Sequence, residues 1–568
     1  MRNEKITAAN RKRMAEGAAD FERLKDRCLN PMEVNKQLLL KIIRDNEDTE
    51  YGKKYDFKNI HSIEDFQEKV PVTKYSDYTE YIKRMVNDGE ENLICAYPVG
   101  HFNGSSGTTG DVKYIPMPKE MIEVYLAYVT HSPLGVLTEA VGDGWTDGRS
   151  VRLAECPSEV YYLPSGASFG AISSHMTRHF RPKIEYLFTS PDEAIFPESG
   201  TNTRYLHARF ALMDEDATGL VAAYLSFLLL TLRYIESSWE MLVKDIETGT
   251  IDPSVELSPE VRSALKDKIK PMPERAAVLR EIFSKGFEEP FVPKVWKNMK
   301  YVLGIGTGGF KVYADALQSR YTGDIPFVKI GIGASEGIFT TPYRVNSEDT
   351  VLIPDSVFFE FLPLDAGDDF SKIVTLDGLE EGKDYELIIT NMGGFYRYRM
   401  RDAIRVVSKF ENTPTVEFLY RIDQTINILG EKTTEATLRA AANNTAESLD
   451  LELIDFSVYA DIKSTPPRYQ YFLEIANKPA DVPANLIRST LEKELLKLAP
   501  AFEDLVVRGL CQRLKVNFLQ EDAYALWRDI AIYNGANSNQ LKPVHIIRTE
   551  NQRRFFTGMT EYSSEPVQ

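Results

Sequence analysis

Residues 326–337 read PFVKIGIGASEG, an apolar, β-branched run that passes directly into a short loop of glycines, small residues and one acid. The run is strand-like, and it places Glu336 at the carboxyl end of a strand, where α/β sheets hold their ligands. A carboxylate there can hold Mg2+, which bridges nucleotide phosphates; the plain alternative is a solvated loop glutamate. Working outward, strand-like runs at residues 300–305, 357–362 and 385–390 mix with helical stretches at 220–246 and 310–321. That alternation, from about residue 104 to 405, implies a large α/β domain.

Two further polar motifs lie inside the same region. Residues 105–113 read SSGTTGDVK: the hydroxyls of Ser105, Ser106, Thr108 and Thr109, with Gly107 and Gly110, suit a tight turn whose N–H groups converge on phosphate, and Lys113 adds charge. No Gly-Lys-Ser/Thr follows, so the stretch is not a Walker A loop, and an ordinary Ser/Gly turn is the competing reading. Residues 396–402 read YRYRMRD and close a strand-like stretch after the Met392-Gly393-Gly394 turn. Asp402 is placed to accept hydrogen bonds from two ribose hydroxyls. Arg397, Arg399, Arg401 and Arg405 make this region basic, which favours an anionic ligand. The alternative is a surface strand whose arginines pair with neighbouring acids.

A decoy competes with this nucleotide reading. Residues 304–309, GIGTGG, match GxGxxG after a strand, with Asp324 at the offset of a ribose-binding acid. Asp324 precedes the next strand instead of ending it, so the glycines are expected to make a tight turn or to line an acyl pocket. His175 and His179 could share a helix face but have no third ligand in view. His101, just before the phosphate loop, is the one suggestively placed histidine.

The 568 residues are 43% hydrophobic with a formal charge of −17 and a pI near 5.1, which suits a large folded core and argues against nucleic acid or a membrane surface as partner. Cys28, Cys95, Cys156 and Cys511 show neither metal nor disulfide spacing, so a reducing cytoplasm is expected. The N-terminus lacks the apolar core of a signal peptide. The apolar run at 220–232 is too short to cross a bilayer and reads as a buried core helix.

The chain opens with charged helical segments over residues 10–90. After residue 421 the elements read strand 425–429, helix 434–449, strands 455–461 and 469–476, helix 485–498, strand 513–518 and a last helix at 524–533. This βαββαβ order predicts a small ferredoxin-like α+β domain over residues 424–568, behind a large domain over 1–423.

Taken with TEYGKKYDF at 49–57, VPVTKYSDY at 70–78, VWKNMKY at 295–301, GEKTTE at 430–435 and NSNQLKP at 537–543, the motifs resemble the Gretchen Hagen, auxin-responsive acyl-acid amido synthetases of the adenylate-forming ligase superfamily. The resemblance spans nearly the whole chain. It implies an adenylate-forming α/β fold, and ATP-dependent joining of a small carboxylic acid to the amine of an amino acid, with ATP and Mg2+ as cofactors. It further implies that Ser105, Ser106, Gly107, Thr108, Thr109, Gly110 and Lys113 face phosphate, and that Gly333, Ala334, Ser335, Tyr398, Asp402 and Arg421 hold the nucleotide. Glu336 would serve the metal, and Lys432 and Lys542 would approach the nucleotide from the small domain, which is expected to turn about residues 421–425 between the two half-reactions. Three positions depart from the family pattern: Ile332 replaces a Tyr, Arg401 a Gly, and Ala334-Ser335 a doubled Ser. Capture of the adenylate by a thiol, or nucleotide binding without turnover, are the competing functions.

Overall fold

The computed structural model describes residues 2–106, 112–198, 201–307, 311–422, 425–426, 428, 431, 433–476, 482–533 and 543–566. The chain divides into two compact units, Met1–Met400 with Ile404–Phe418, and Arg401–Ala403 with Leu419–Gln568.

In the first unit, the strands Ser150–Leu153, Gly219–Tyr224, Tyr301–Ile305 and Phe327–Lys329 form a parallel sheet in chain order. The first three are buried along most of their length, as parallel strands covered on both faces must be. The helix Leu225–Thr248 packs on one face through Leu225, Leu228 and Leu232, and Trp145, Tyr301 and Leu303 fill the other. The apolar run at 220–232 is therefore not one helix. Its first residues are captured as a strand between Ser150–Leu153 and Tyr301–Ile305, and the helix starts only at Leu225. Apolar periodicity cannot separate these states in a run that is buried throughout.

Within the GxGxxG stretch, Gly304 and Gly306 belong to the contact of the strand Tyr301–Ile305 with the start of that helix. A side chain at Gly304 would meet the Ala222 carbonyl at 2.5 Å, and one at Gly306 the Leu225 side chain at 2.4 Å. Gly308 and Gly309 lie outside the described residues. Gly304→Ala is expected to cost about 1–3 kcal/mol of stability through overpacking, read as a lower urea midpoint.

A six-stranded sheet runs in the order Thr340–Thr341, Thr350–Leu352, Thr413–Arg421, Tyr398–Phe410, Asp384–Thr390, Phe358–Pro363. The YRYRMRD motif thus begins a strand, where the sequence suggested an end: the turn at Met392–Gly394 closes the preceding strand, and Tyr398 opens the next. A third sheet holds His101–Ser106 between its antiparallel partner Val112–Met117 and its parallel partner Ser168–Gly170.

The second unit contains the expected helices and strands. Its four-stranded sheet is ordered Leu453–Asp461, Arg468–Ile475, Lys515–Leu519, Thr560–Ser564. The strand expected to lead a ferredoxin-like sheet, Thr425–Ile426, pairs instead with Thr433–Thr434, and the final strand closes the free edge. Leu438, Leu491, Leu495, Tyr471 and Val516 fill the core between its helices and sheet. Among the described residues no helix is long and apolar enough to cross a membrane.

Candidate active site

The first unit brings two of the three motifs together with Tyr398 of the third. Ser105 pairs with Lys113 and Ser106 with Val112, so the serine-rich stretch ends one arm of a β-hairpin. Gly107, Thr108, Thr109 and Gly110 lie outside the described residues. Lys113 stands over the Tyr75 ring at 5.1 Å, and the Tyr75 hydroxyl accepts from the Tyr114 N–H at 2.8 Å, which fixes the second arm.

The GASEG turn is tied to the first arm. Asn103 Nδ2 donates to the Ser335 carbonyl at 3.0 Å, and Ser335 Oγ donates to the Gly104 carbonyl at 3.3 Å. Gly333–Ala334 and Gly337–Ile338 form a miniature ladder with Ser335 and Glu336 at its tip. The parallel strand stops at Lys329, so Glu336 sits on this hairpin and not at the strand's carboxyl end as the sequence suggested. Glu336 is buried, accepts from the Tyr398 hydroxyl at 3.3 Å, and has its carbonyl bound by Asn391 Nδ2 at 2.8 Å. Tyr398 is held by stacking on Phe395 at 4.8 Å. Ile332, in the position of the family's Tyr, packs half-buried against the main core.

Beside this turn opens a narrow cleft, lined by Asn103, Met117, Met121, Val124, Tyr125 and Ile338 among others. Its walls are apolar apart from a few polar groups, the pattern of a small-ligand site. Asn103 was not singled out by any motif. Its Oδ1 is buried without a hydrogen-bond partner, as is Nε2 of His101 two residues earlier on the same strand face. The His101 ring packs on His175 at 4.5 Å, and its Nδ1 meets Ser168 Oγ at 2.9 Å. Burial pulls His101 down to about 4, with His175 adding to the effect; the nearby Asn103 amide opposes it without hydrogen-bond geometry. His101 is therefore a neutral packing ring at neutral pH.

The arginines of the third motif answer to acids of the sheet. Arg397 meets Glu360, Arg399 holds Glu386 at 2.9 and 2.7 Å and Asp368 at 2.7 Å, and Arg405 holds Asp384 at 2.7 and 2.9 Å. For these three the pairing reading is right, and their clustering does not mark an anion site.

In the second unit, the buried Asp402 carboxylate accepts from Arg421 Nε at 2.9 Å and Nη2 at 3.3 Å. Arg401 carries φ +58°, a left-handed conformation that costs a side chain and that glycine adopts freely, which explains a Gly in the family pattern at this position. Lys432, Lys542 and the residues 423–424 of the expected turning point lie outside the described residues.

The helix Glu435–Ser448 follows the GEKTTE stretch and is capped by Thr434, which accepts from the Thr437 N–H at 3.1 Å. At its first turn Glu435 meets His545 Nδ1 at 2.8 Å, while Asp455 meets Nε2 at 2.8 Å. Burial disfavours the charged ring, but Asp455 and Glu435 outweigh it, against Arg439, and the imidazole is raised; Glu435 is correspondingly lowered in spite of its own burial. An unfolded histidine titrates near about 6.5, so this contribution to stability is full below that value and is lost as pH rises through the raised folded value. The Glu435 contribution is lost in the opposite direction, on acidification. Hydrogen exchange in the strand Leu453–Asp461 is expected to speed up from neutral to alkaline pH beyond its intrinsic dependence, and His545→Gln should flatten that excess.

Comparison with known proteins agrees with this architecture. The solved GH3.15 acyl acid amido synthetase superposes with a TM-score of 0.82 at 23% identity, covering 95% of this chain and 96% of that one. A 2-hydroxyisobutyryl-CoA ligase solved in the postadenylation state with 2-HIB-AMP gives 0.50 at 12% identity, over 95% of this chain and 91% of that one. The fold is that of the adenylate-forming ligases. The GH3 family N-terminal domain matches residues 20–327, the central domain residues 350–421 and the C-terminal domain residues 436–551, and the chain belongs to the GH3 family. Curated relatives include the indole-3-acetic acid-amido synthetase GH3.8 of Oryza sativa subsp. indica, 29% identical over 92% of this chain and 90% of its own length. The 4-substituted benzoates-glutamate ligase GH3.12 of Arabidopsis thaliana is 28% identical over 93% of this chain and 95% of its own.

Proposed function

We propose that the protein activates a small carboxylic acid with ATP as the acyl-adenylate and transfers the acyl group to an amine, an amino acid being the acceptor class. The observation that carries this reading is the tie of the Glu336 turn to the phosphate-loop hairpin through Asn103, Gly104 and Ser335, beside a cleft with largely apolar walls. A carboxylate is a poor electrophile until one of its oxygens becomes part of a good leaving group. In the first step that oxygen attacks the α-phosphorus, the bond to the β-phosphate oxygen breaks, and pyrophosphate leaves. In the second, the amine nitrogen attacks the acyl carbon, the C–O bond to AMP breaks, and the nitrogen gives up a proton.

The residues present fit one Mg2+. Glu336 is a single buried carboxylate, and among the described residues no group of three or more His, Cys, Asp or Glu could hold an ion alone, which suits a cation carried mainly by phosphates and water. When bound, Mg2+ offsets the negative charge that gathers on the phosphates. Tyr398 orients the Glu336 carboxylate, and the hairpin supplies backbone N–H groups near Ser105 and Ser106. Asp402 holds the ribose hydroxyls in our reading, Arg421 orienting its carboxylate, and Met117, Met121 and Val124 exclude water from the mixed anhydride. Lys432 and Lys542 serve the nucleotide in this reading.

Pyrophosphate release with ATP and Mg2+, across a panel of small acids with and without pooled amino acids, tests the reading. Acid-dependent release with an amide product supports it; release that ignores the acid, or an acid-dependent signal that needs a thiol and no amine, overturns it. Lys432→Ala should lose most adenylation with its unfolding midpoint unchanged.

A further inference from the structure

Arg152 lies near the carboxyl end of the strand Ser150–Leu153, the edge of a parallel sheet where ligands bind. Its contacts are few for a half-buried guanidinium. Nη2 donates to Thr177 Oγ1 at 3.3 Å, and the group lies over the Phe188 ring at 5.2 Å. Nε is buried and has no hydrogen-bond partner. Among the described residues it makes no ion pair, whereas Arg397, Arg399, Arg405 and Arg421 all have carboxylates.

None of the neighbours with the largest electrostatic effect on it supplies the missing charge. They are Cys156, Arg13, Tyr125 and Tyr301. Burial raises the Cys156 thiol, so it stays neutral, and burial pushes the Tyr125 phenol up to about 12. Arg13 carries a charge of the same sign. Burial depresses Arg152 itself, but an arginine keeps its proton at any physiological pH. A cation withdrawn from water without a counter-charge is expensive, and such sites are kept where a ligand supplies the opposite charge.

The position of the charge says which ligand. Tyr125 lines the apolar cleft beside the Glu336 turn and lies within electrostatic reach of Arg152. On the other side, the helix Ile172–His179 carries Thr177 and, one turn earlier on the same face, Ser174, whose buried Oγ lies near the Cys156 thiol but makes no hydrogen bond of good geometry. A guanidinium Nε–H and a serine hydroxyl are both ready to donate.

We infer that Arg152 is the receptor for a second anionic group on the acyl substrate, so that the preferred acids are dicarboxylates, with one carboxylate activated and the other bound by Arg152 and Ser174. This rests on the amido synthetase reading above and deepens it.

The test compares matched acids in the pyrophosphate assay: benzoate with isophthalate and terephthalate, and pentanoate with glutarate and adipate. For the intact protein, kcat/KM for the better diacid should exceed that of its monoacid partner at least about tenfold. Arg152→Met should reverse the ratio by raising KM for the diacid while monoacids improve, and Arg152→Lys should keep part of the preference. A merely structural arginine would lower both acids together and leave their ratio unchanged, which overturns the assignment. A change confined to the KM of the amino acid would place the amine substrate's carboxylate there and also overturns it. If Arg152→Met is too unstable to assay, Arg152→Gln and Ser174→Ala are read for the same ratio. Absence of pyrophosphate release with all acids defeats the amido synthetase reading itself, an outcome distinct from release without diacid preference.

Discussion

Asp402→Ala is expected to lower acid-dependent pyrophosphate release by about two orders of magnitude or more, with little change in the cleft that takes the acid. The estimate follows from two hydrogen bonds to an ionised carboxylate, each contributing about 1.5–3 kcal/mol when made in a site shielded from water. Asp402 suits the role because it is buried, acceptor-only when ionised, and held from one side by Arg421 at 2.9 Å. The substitution also leaves Arg421 without its acid, so the measurement needs a control for folding. Asp402→Asn keeps an oxygen acceptor in place and should retain more activity than the alanine variant while losing the charge. Retention of near-normal kcat/KM for ATP in Asp402→Ala would remove Asp402 from the nucleotide site.

The largest expected stability effect lies elsewhere. Glu360→Ala should destabilise the first unit by about 3–5 kcal/mol, because it strands a buried cation. Arg397 Nε lies 3.1 Å from both oxygens of Glu360, and its Nη1 donates to the carbonyls of Gln67 and Val70, each at 2.9 Å. Gln67 Nε2 completes the set by donating to Glu360 at 2.9 Å. The two charged side chains are 7% and 0% exposed, so water cannot replace the lost partner. Arg397 also carries φ +47°, a conformation that this network must hold in place. A fall of several degrees or more in the first unfolding transition is the expected result, and the double variant Glu360→Leu, Arg397→Met should recover much of it. A neutral Glu360→Ala would mean that water reaches the guanidinium.

How far the sequence could lead depended on the kind of interaction. The α/β alternation and the second unit's element order were legible because each element carries its own hydrophobic period, as at 453–461 and 484–498. Residues 220–224 were not legible as strand, since a run buried on all sides looks alike in both states until its neighbours in the sheet are known. Pairing of Arg399 with Glu386 and Arg405 with Asp384 had a readable signal: the acids alternate on one strand-like run and the arginines on the next, two same-face rows that adjacent strands bring together. The Asn103–Ser335 tie had none, because it joins positions 232 residues apart through a single amide. Arg152 was hidden likewise, one charge in an otherwise ordinary strand, distinguished only by making no ion pair among the described residues. The nucleotide roles given to Lys432 and Lys542 rest on the family resemblance and not on placement.

The central claim is that one oxygen of the acid is transferred to AMP. It is tested most directly with an acid labelled with 18O in its carboxylate, incubated with ATP, Mg2+ and the amino acid, followed by mass spectrometry of the products. The adenylate route predicts one labelled oxygen in AMP and one retained in the amide. Label in inorganic phosphate alongside ADP, or AMP formed without label, would contradict it.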